Sequence, residues 1–192
     1  MAESLGVIKP RPPSRAWLAV PLLIVALIAL DIGVLASQTI RSPYATPFLH
    51  LFFSDTLHMK VWLASAAFVL ALFQLLTASR IYGLLHFPPP GRFYNLVHRW
   101  SGRTAIALTL PVAYHCIFLL GLDIHTMDTR VLIHALLGCT IYGTFVCKVL
   151  FVRSTRFPSW ALPIAGGLLF TIILGLWLTS ALWFFTSHGL GL

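Results

Sequence analysis

Five apolar runs dominate the chain, near residues 16–37, 58–79, 98–121, 130–152 and 160–186. Each has at least the ~20 residues that a helix needs to cross a ~30 Å hydrocarbon core. Backbone N–H and C=O groups in lipid must be satisfied within the segment, so each run reads as a transmembrane helix. Composition agrees, with 58% apolar residues, only 9% charged residues and a mean hydropathy of +0.89. These values lie outside the range of soluble domains. The expected fold is all-α: one membrane domain over 16–186, built as a bundle of five transmembrane helices.

The net charge of +8 invites a nucleic-acid reading, but the distribution of charge points to a membrane. Lys9, Arg11, Arg15, Arg80, Arg92, Arg99, Arg103, Lys148, Arg153 and Arg156 fall on one side of the predicted bundle; only Arg41, Lys60 and Arg130 fall on the other. The positive-inside rule then places the amino terminus inside and the carboxyl terminus outside. Trp17, Trp100 and Trp160 mark inner helix ends, and Trp62 and Trp183 mark outer ends, as interfacial anchors. Partners from this pattern are the lipid bilayer and not nucleic acid.

Residues 1–15, with Pro10, Pro12 and Pro13, read as a basic cytoplasmic tail, and 187–192 as a short outer tail. Val34-Leu35-Ala36 resembles a cleavage site, but the first run is long for a signal sequence and is taken as a retained helix. In the outer loop 38–57, the run Phe48-Leu49-His50-Leu51-Phe52-Phe53 suits an interfacial segment. The triple proline of Phe87-Pro88-Pro89-Pro90-Gly91 reads as a rigid inner turn. Cys116, Cys139 and Cys147 lie in apolar runs without CxxC or CxxCH spacing, which argues for ordinary buried thiols.

Eight histidines punctuate this apolar chain, at 50, 58, 86, 98, 115, 125, 134 and 188. His115 lies about six residues from the outer end of its run and His134 about four from the start of the next. At 1.5 Å per residue those depths are roughly 9 and 6 Å. Two neutral imidazoles facing each other across an antiparallel helix pair are what a bis-ligated haem iron requires. Gly138, four residues after His134 and on the same face, leaves room for a flat macrocycle. His98 and Gly102 repeat that spacing at the inner side. Pro111, one turn before His115, frees a carbonyl and bends its helix. Interfacial histidines also serve as anchors, and small-xxx-small spacings also serve packing alone. His58, at the same outer level, and His98 are the substitute ligands. A second, inner haem needs His98 together with His86 or a lysine, so one haem is the expectation.

The segment 94–143, carrying His98-Arg99-Trp100-Ser101-Gly102-Arg103, Pro111-Val112-Ala113-Tyr114-His115 and His134-x-x-x-Gly138, resembles ferric-reductase-like and related b-type cytochrome membrane domains. The whole chain is similar to a bacterial family of small five-helix membrane proteins of unassigned function. The first resemblance covers about a quarter of the chain. It implies a non-covalent haem b held by helical histidines, electron transport at a bacterial plasma membrane, and exchange with a quinone or a redox partner chain. The chain departs from that pattern in its incomplete second ligand pair and in having no flavin or nicotinamide domain.

Among other polar residues, Asp31 reads as a carboxylate near enough to the interface to find water or a basic partner; it also suits a proton relay or a pairing with His58 or Lys60. Arg99 and Arg103 read as lipid-phosphate anchors, whereas Arg130 and Lys60 are on the side where haem propionates would lie. Gln74 and the Thr179–Ser180 pair suit interhelical hydrogen bonds. No nucleophile–base set, P-loop or GxGxxG accompanies them, so the chain is at most the electron-transfer subunit of an oxidoreductase. A small transporter is disfavoured by few buried charges and no clear inverted repeat. The alternative class is a cofactor-free structural or assembly subunit of a membrane, respiratory complex.

Overall fold

The computed structural model describes residues 16–39, 51–86 and 91–189. The basic tail, the start of the interfacial run including His50, the triple proline and the last three residues lie outside them. Every regular element among the described residues is helical: α1 (Ala16–Ser37), α2 (Thr56–Ile81), α3 (Arg92–His115), α4 (Thr129–Arg153), α5 (Ala161–Trp177) and α6 (Trp183–His188). α3 continues into a π-helical turn, Cys116–Leu120, and a second π-helical turn, Leu178–Leu182, joins α5 to α6. The result is five helices long and apolar enough to span a membrane. This is a multi-pass membrane protein, and its surroundings are a lipid bilayer.

Local chemistry starts these helices. Asp55 caps α2, accepting from the backbone N–H of Leu57 at 2.8 Å and of His58 at 2.9 Å; Asp128 caps α4 through Val131 N–H at 2.9 Å. The third helix begins at Arg92 rather than near 98, because helix formation continues past the point where hydropathy falls. Its first turns are polar but carry no helix breaker.

The packing order is α3–α2–α5–α4–α1, and the π-helical turn after α3 returns to α1. Small residues bring the helices together: a Cβ on Gly143 of α4 would lie 2.8 Å from Val25 Cα of α1. α2 and α5 are joined by a stacked Phe68–Trp177 pair, centroids 4.6 Å apart, and by Trp177 Nε1 donating to Ser65 Oγ at 3.1 Å. This order corrects the expected antiparallel pair of third and fourth helices. Consecutive in sequence, α3 and α4 face each other across a gap that α2, α5 and the end of α1 wall in.

Charge divides the bundle into two ends. Asp55, Asp123 and Asp128 cap or border helices at one end; Arg80, Arg92, Arg153 and Arg156 gather at the other. Asp31 is exposed on α1 and forms no ion pair among the described residues. Its expected pairing with His58 or Lys60 is not made: His58 Nδ1 instead meets Asp55 Oδ2 at 2.5 Å.

Candidate functional site

The gap between α3 and α4 encloses a cavity of about 190 Å³ at the end of the bundle that carries the aspartates. Its walls are mostly small or aliphatic side chains, among them Ala64, Ala67, Val112, Ala113, Ala135 and Gly138. Polar atoms enter from Thr109, Cys116, His134, Tyr142 and Ser180. Thr109 Oγ1 and Tyr142 OH approach to 3.1 Å and bridge the two helices. Lys60 of α2 is near enough to interact electrostatically with both Cys116 and His134. An apolar chamber with a few convergent polar groups is the usual form of a ligand site.

His134 is the imidazole on that wall, and its orientation is fixed from behind. Thr179 Oγ1 lies 2.9 Å from His134 Nδ1 and itself donates to Gly175 O at 2.7 Å. The hydroxyl has a single proton, so when Gly175 takes it the histidine Nδ1–H is the donor and Nε2 carries the lone pair; when the hydroxyl donates to the ring, the roles reverse. Gly138, one turn further on, would admit a Cβ without a clash, in ordinary contact with Leu176 Cδ2 at 4.0 Å.

His115 behaves differently. It is fully buried, at 0% exposure, and its ring centroid lies 5.7 Å from that of Tyr114. Its neighbours Ala113 and Cys116 line the cavity, whereas His115 does not. The two histidines thus reach the same end of the bundle but only one opens on the cavity. Arg130 is engaged with the second π-helical turn and α6: Nη1 donates to Thr179 O at 2.7 Å and the guanidinium sits 4.0 Å over the Trp183 ring. His58 faces Asp55 and the edge of Phe184, with centroids 5.5 Å apart. His98 is at the opposite end, its Nδ1 2.8 Å from Thr77 Oγ1. Among the described residues no group of three or more His, Cys, Asp or Glu is arranged to hold a metal ion.

Sequence reasoning missed both π-helical turns. In each, one carbonyl is captured by a side chain from another segment: Ile117 O accepts from Thr39 Oγ1 at 2.7 Å, and Thr179 O accepts from Arg130. Such turns are frequent at functional sites. Pro111 is no cue to the first, because the carbonyl that it deprives of a donor is that of Ala107, upstream and well away from the turn. The second has no local cue. Thr179 as the partner of His134 was half visible, as a hydroxyl pair inside an apolar run.

Residues 18–192 match the Family of unknown function (DUF6529), and the chain belongs to that family. No curated protein and no solved structure matches it.

Proposed function

We propose that this member of the DUF6529 family is a membrane b-type cytochrome, with haem b held at the cavity between α3 and α4. One observation carries the reading: the His134 imidazole lines an apolar intramembrane cavity with its Nδ1 tied to Thr179. The donor chemistry fits in part. His134 supplies one nitrogen at the wall, whereas His115, buried behind the wall residues Ala113 and Cys116, would have to turn into the cavity to supply the second. Gly138 keeps the wall beside His134 free of a side chain.

When bound, haem b supplies one-electron redox chemistry. The chain's own residues do the rest. Thr179 holds the His134 ring, the alanines and Gly138 give a flat group room, and Lys60 and Arg130 place positive charge near the site. In this reading the chain is the electron-transfer subunit of an oxidoreductase in a bacterial plasma membrane. Its amino terminus and basic end face inward, and it exchanges electrons with a quinol or a partner chain at the other face. The resemblance to ferric-reductase-like domains around 94–143 supports the same assignment.

The enclosed volume, about 190 Å³, is below the ~300 Å³ at which ligand pockets begin, so a porphyrin needs flexible wall residues such as Leu120, Met127 and Leu176 to withdraw. That volume favours the second reading, a cofactor-free structural or assembly subunit. A reduced-minus-oxidised spectrum of the purified chain, expressed with ample haem, separates them. Low-spin b-type bands at one haem per chain are expected; a colourless protein overturns the cytochrome reading.

A further inference from the structure

The opposite end of the bundle holds a second concavity that the cavity chemistry does not use. An open groove of about 420 Å³ lies along the first two turns of α3, lined by Arg92, Phe93, Asn95, Leu96 and Arg99. Arg92, Asn95 and Arg99 follow i, i+3, i+7 spacing and share one helical face. Arg103 continues that face one turn deeper, its guanidinium 5.2 Å from the centre of the Trp100 ring. Phe93 and Leu96 are 68% and 53% exposed, so apolar surface borders the cationic strip.

Depth explains what such a strip can meet. α3 and its π-helical turn form a span of 29 residues, Arg92–Leu120, roughly nine more than the ~20 needed to cross the hydrocarbon core. Residues after Arg103 are overwhelmingly apolar, so the surplus lies at the arginine end. At 1.5 Å per residue it extends roughly 13 Å, which spans the headgroup layer. The strip therefore crosses the phosphate level, with Arg92 at its outermost point, Arg99 and Arg103 nearer the hydrocarbon, and the exposed Phe93 and Leu96 between them. Exposed guanidiniums at this depth are stabilised by the anionic phosphates within their reach. The sequence offers no carboxylate between Asp55 and Asp123, both at the other end of the bundle.

We propose that this groove binds the phosphodiester of an anionic glycerophospholipid. A guanidinium forks onto two phosphate oxygens, and two of them bracket one headgroup. The preference is for an anionic over a zwitterionic lipid, because a headgroup ammonium would sit among Arg92, Arg99 and Arg103 with no carboxylate nearby among the described residues. Basic surfaces at helix ends recognise anionic headgroups in this way.

The test is native mass spectrometry of the full chain in nonionic detergent, titrated with phosphatidylglycerol or phosphatidylcholine. Wild type should retain phosphatidylglycerol preferentially. Arg92→Ala/Arg99→Ala should lower that retention roughly 30-fold, each surface arginine contributing about fivefold. Both side chains are exposed, and unchanged monodisperse elution shows that the variant is folded. Arg153→Ala, at the same end but outside the groove, should change retention less than about twofold. Equal losses in the Arg153 variant, or none in the double variant, overturn the site. Binding of inorganic phosphate with the same Arg92/Arg99 dependence overturns the lipid assignment and makes the groove a free-phosphate site.

Discussion

His98 with Gly102 on α3 and His134 with Gly138 on α4 share one spacing, and each imidazole is tied through Nδ1 to a threonine of another helix, at 2.8 and 2.9 Å. In both pairs the threonine also donates to its own helix backbone, Thr77 to Phe73 O and Thr179 to Gly175 O. Their environments nevertheless diverge at the glycine. A Cβ on Gly102 would meet Gln74 Oε1 at 2.9 Å, whereas one on Gly138 would make only an ordinary contact with Leu176 Cδ2 at 4.0 Å. Gln74 fills the first gap because its amide is anchored there, donating to His98 O and to Ser101 Oγ. No equivalent polar side chain reaches Gly138. The same four-residue pattern therefore closes one helix pair and opens another.

The largest expected effect is on the haem signal. His134→Ala should abolish the low-spin b-type spectrum, and His98→Ala should leave it, because only His134 faces the cavity. A spectrum lost with His98 and kept without His134 would exchange the roles of the two sites. His58→Ala should leave the signal intact, since that ring is committed to Asp55 and Phe184. Thr179→Val should weaken haem retention about 10- to 100-fold, the usual cost of removing a ligand's outer hydrogen-bond partner.

A smaller effect separates the glycines without any cofactor. Gly102→Ala should destabilise by about 1–2 kcal/mol, because displacing Gln74 breaks hydrogen bonds worth about 1 kcal/mol each. Gly138→Ala should be neutral or stabilise by up to about 1 kcal/mol, the helix-propensity gain with no clash. Thermal unfolding in one detergent measures both; equal shifts would erase the distinction. Thr77→Val should cost about 1 kcal/mol in the same assay, one lost hydrogen bond, and leave the spectrum unchanged.

The smallest effect is a pH response at the α2 cap, which neither pair shares. The His58 backbone N–H, with further hydrogen bonds from the His58 ring and Leu57 N–H, holds the Asp55 carboxyl below the usual aspartate range. A carboxylate lowered on folding contributes stability above its unfolded value, and that contribution is lost as pH falls through the folded value. Since Asp55 is largely exposed, the loss should be small and confined to pH below about 4. Asp55→Asn, which keeps a capping oxygen, should flatten the acid limb of a melting-temperature profile. An unchanged limb would assign it to another group.

How far the sequence reached differs from residue to residue. Five spans were legible because lipid forces each segment to satisfy its own backbone, which makes long apolar runs unambiguous. Gln74 and Thr179 could be recognised as interhelical donors from their type and setting. Their partners could not, because a hydrogen bond between residues 45 apart depends on which helices are neighbours. Depth along each helix follows from 1.5 Å per residue, so His115 and His134 could be placed at one end before any contact was known. Which of them faces the cavity turns on helix rotation, and the π-helical turn beginning at Cys116 changes that locally.

By itself the sequence determined that the chain spans a membrane with five helices, where its charges concentrate, and which histidines share a level. Those properties follow from transfer free energy and helical rise, which act on each segment alone. Only the tertiary structure decided that α3 and α4 stand apart, that Gln74 fills the space beside Gly102, and that His134 opens on a cavity while His115 does not. Between helices in lipid there is no bulk hydrophobic drive to predict the neighbour; side-chain fit and a few polar contacts choose it, and they exist only once the helices have met.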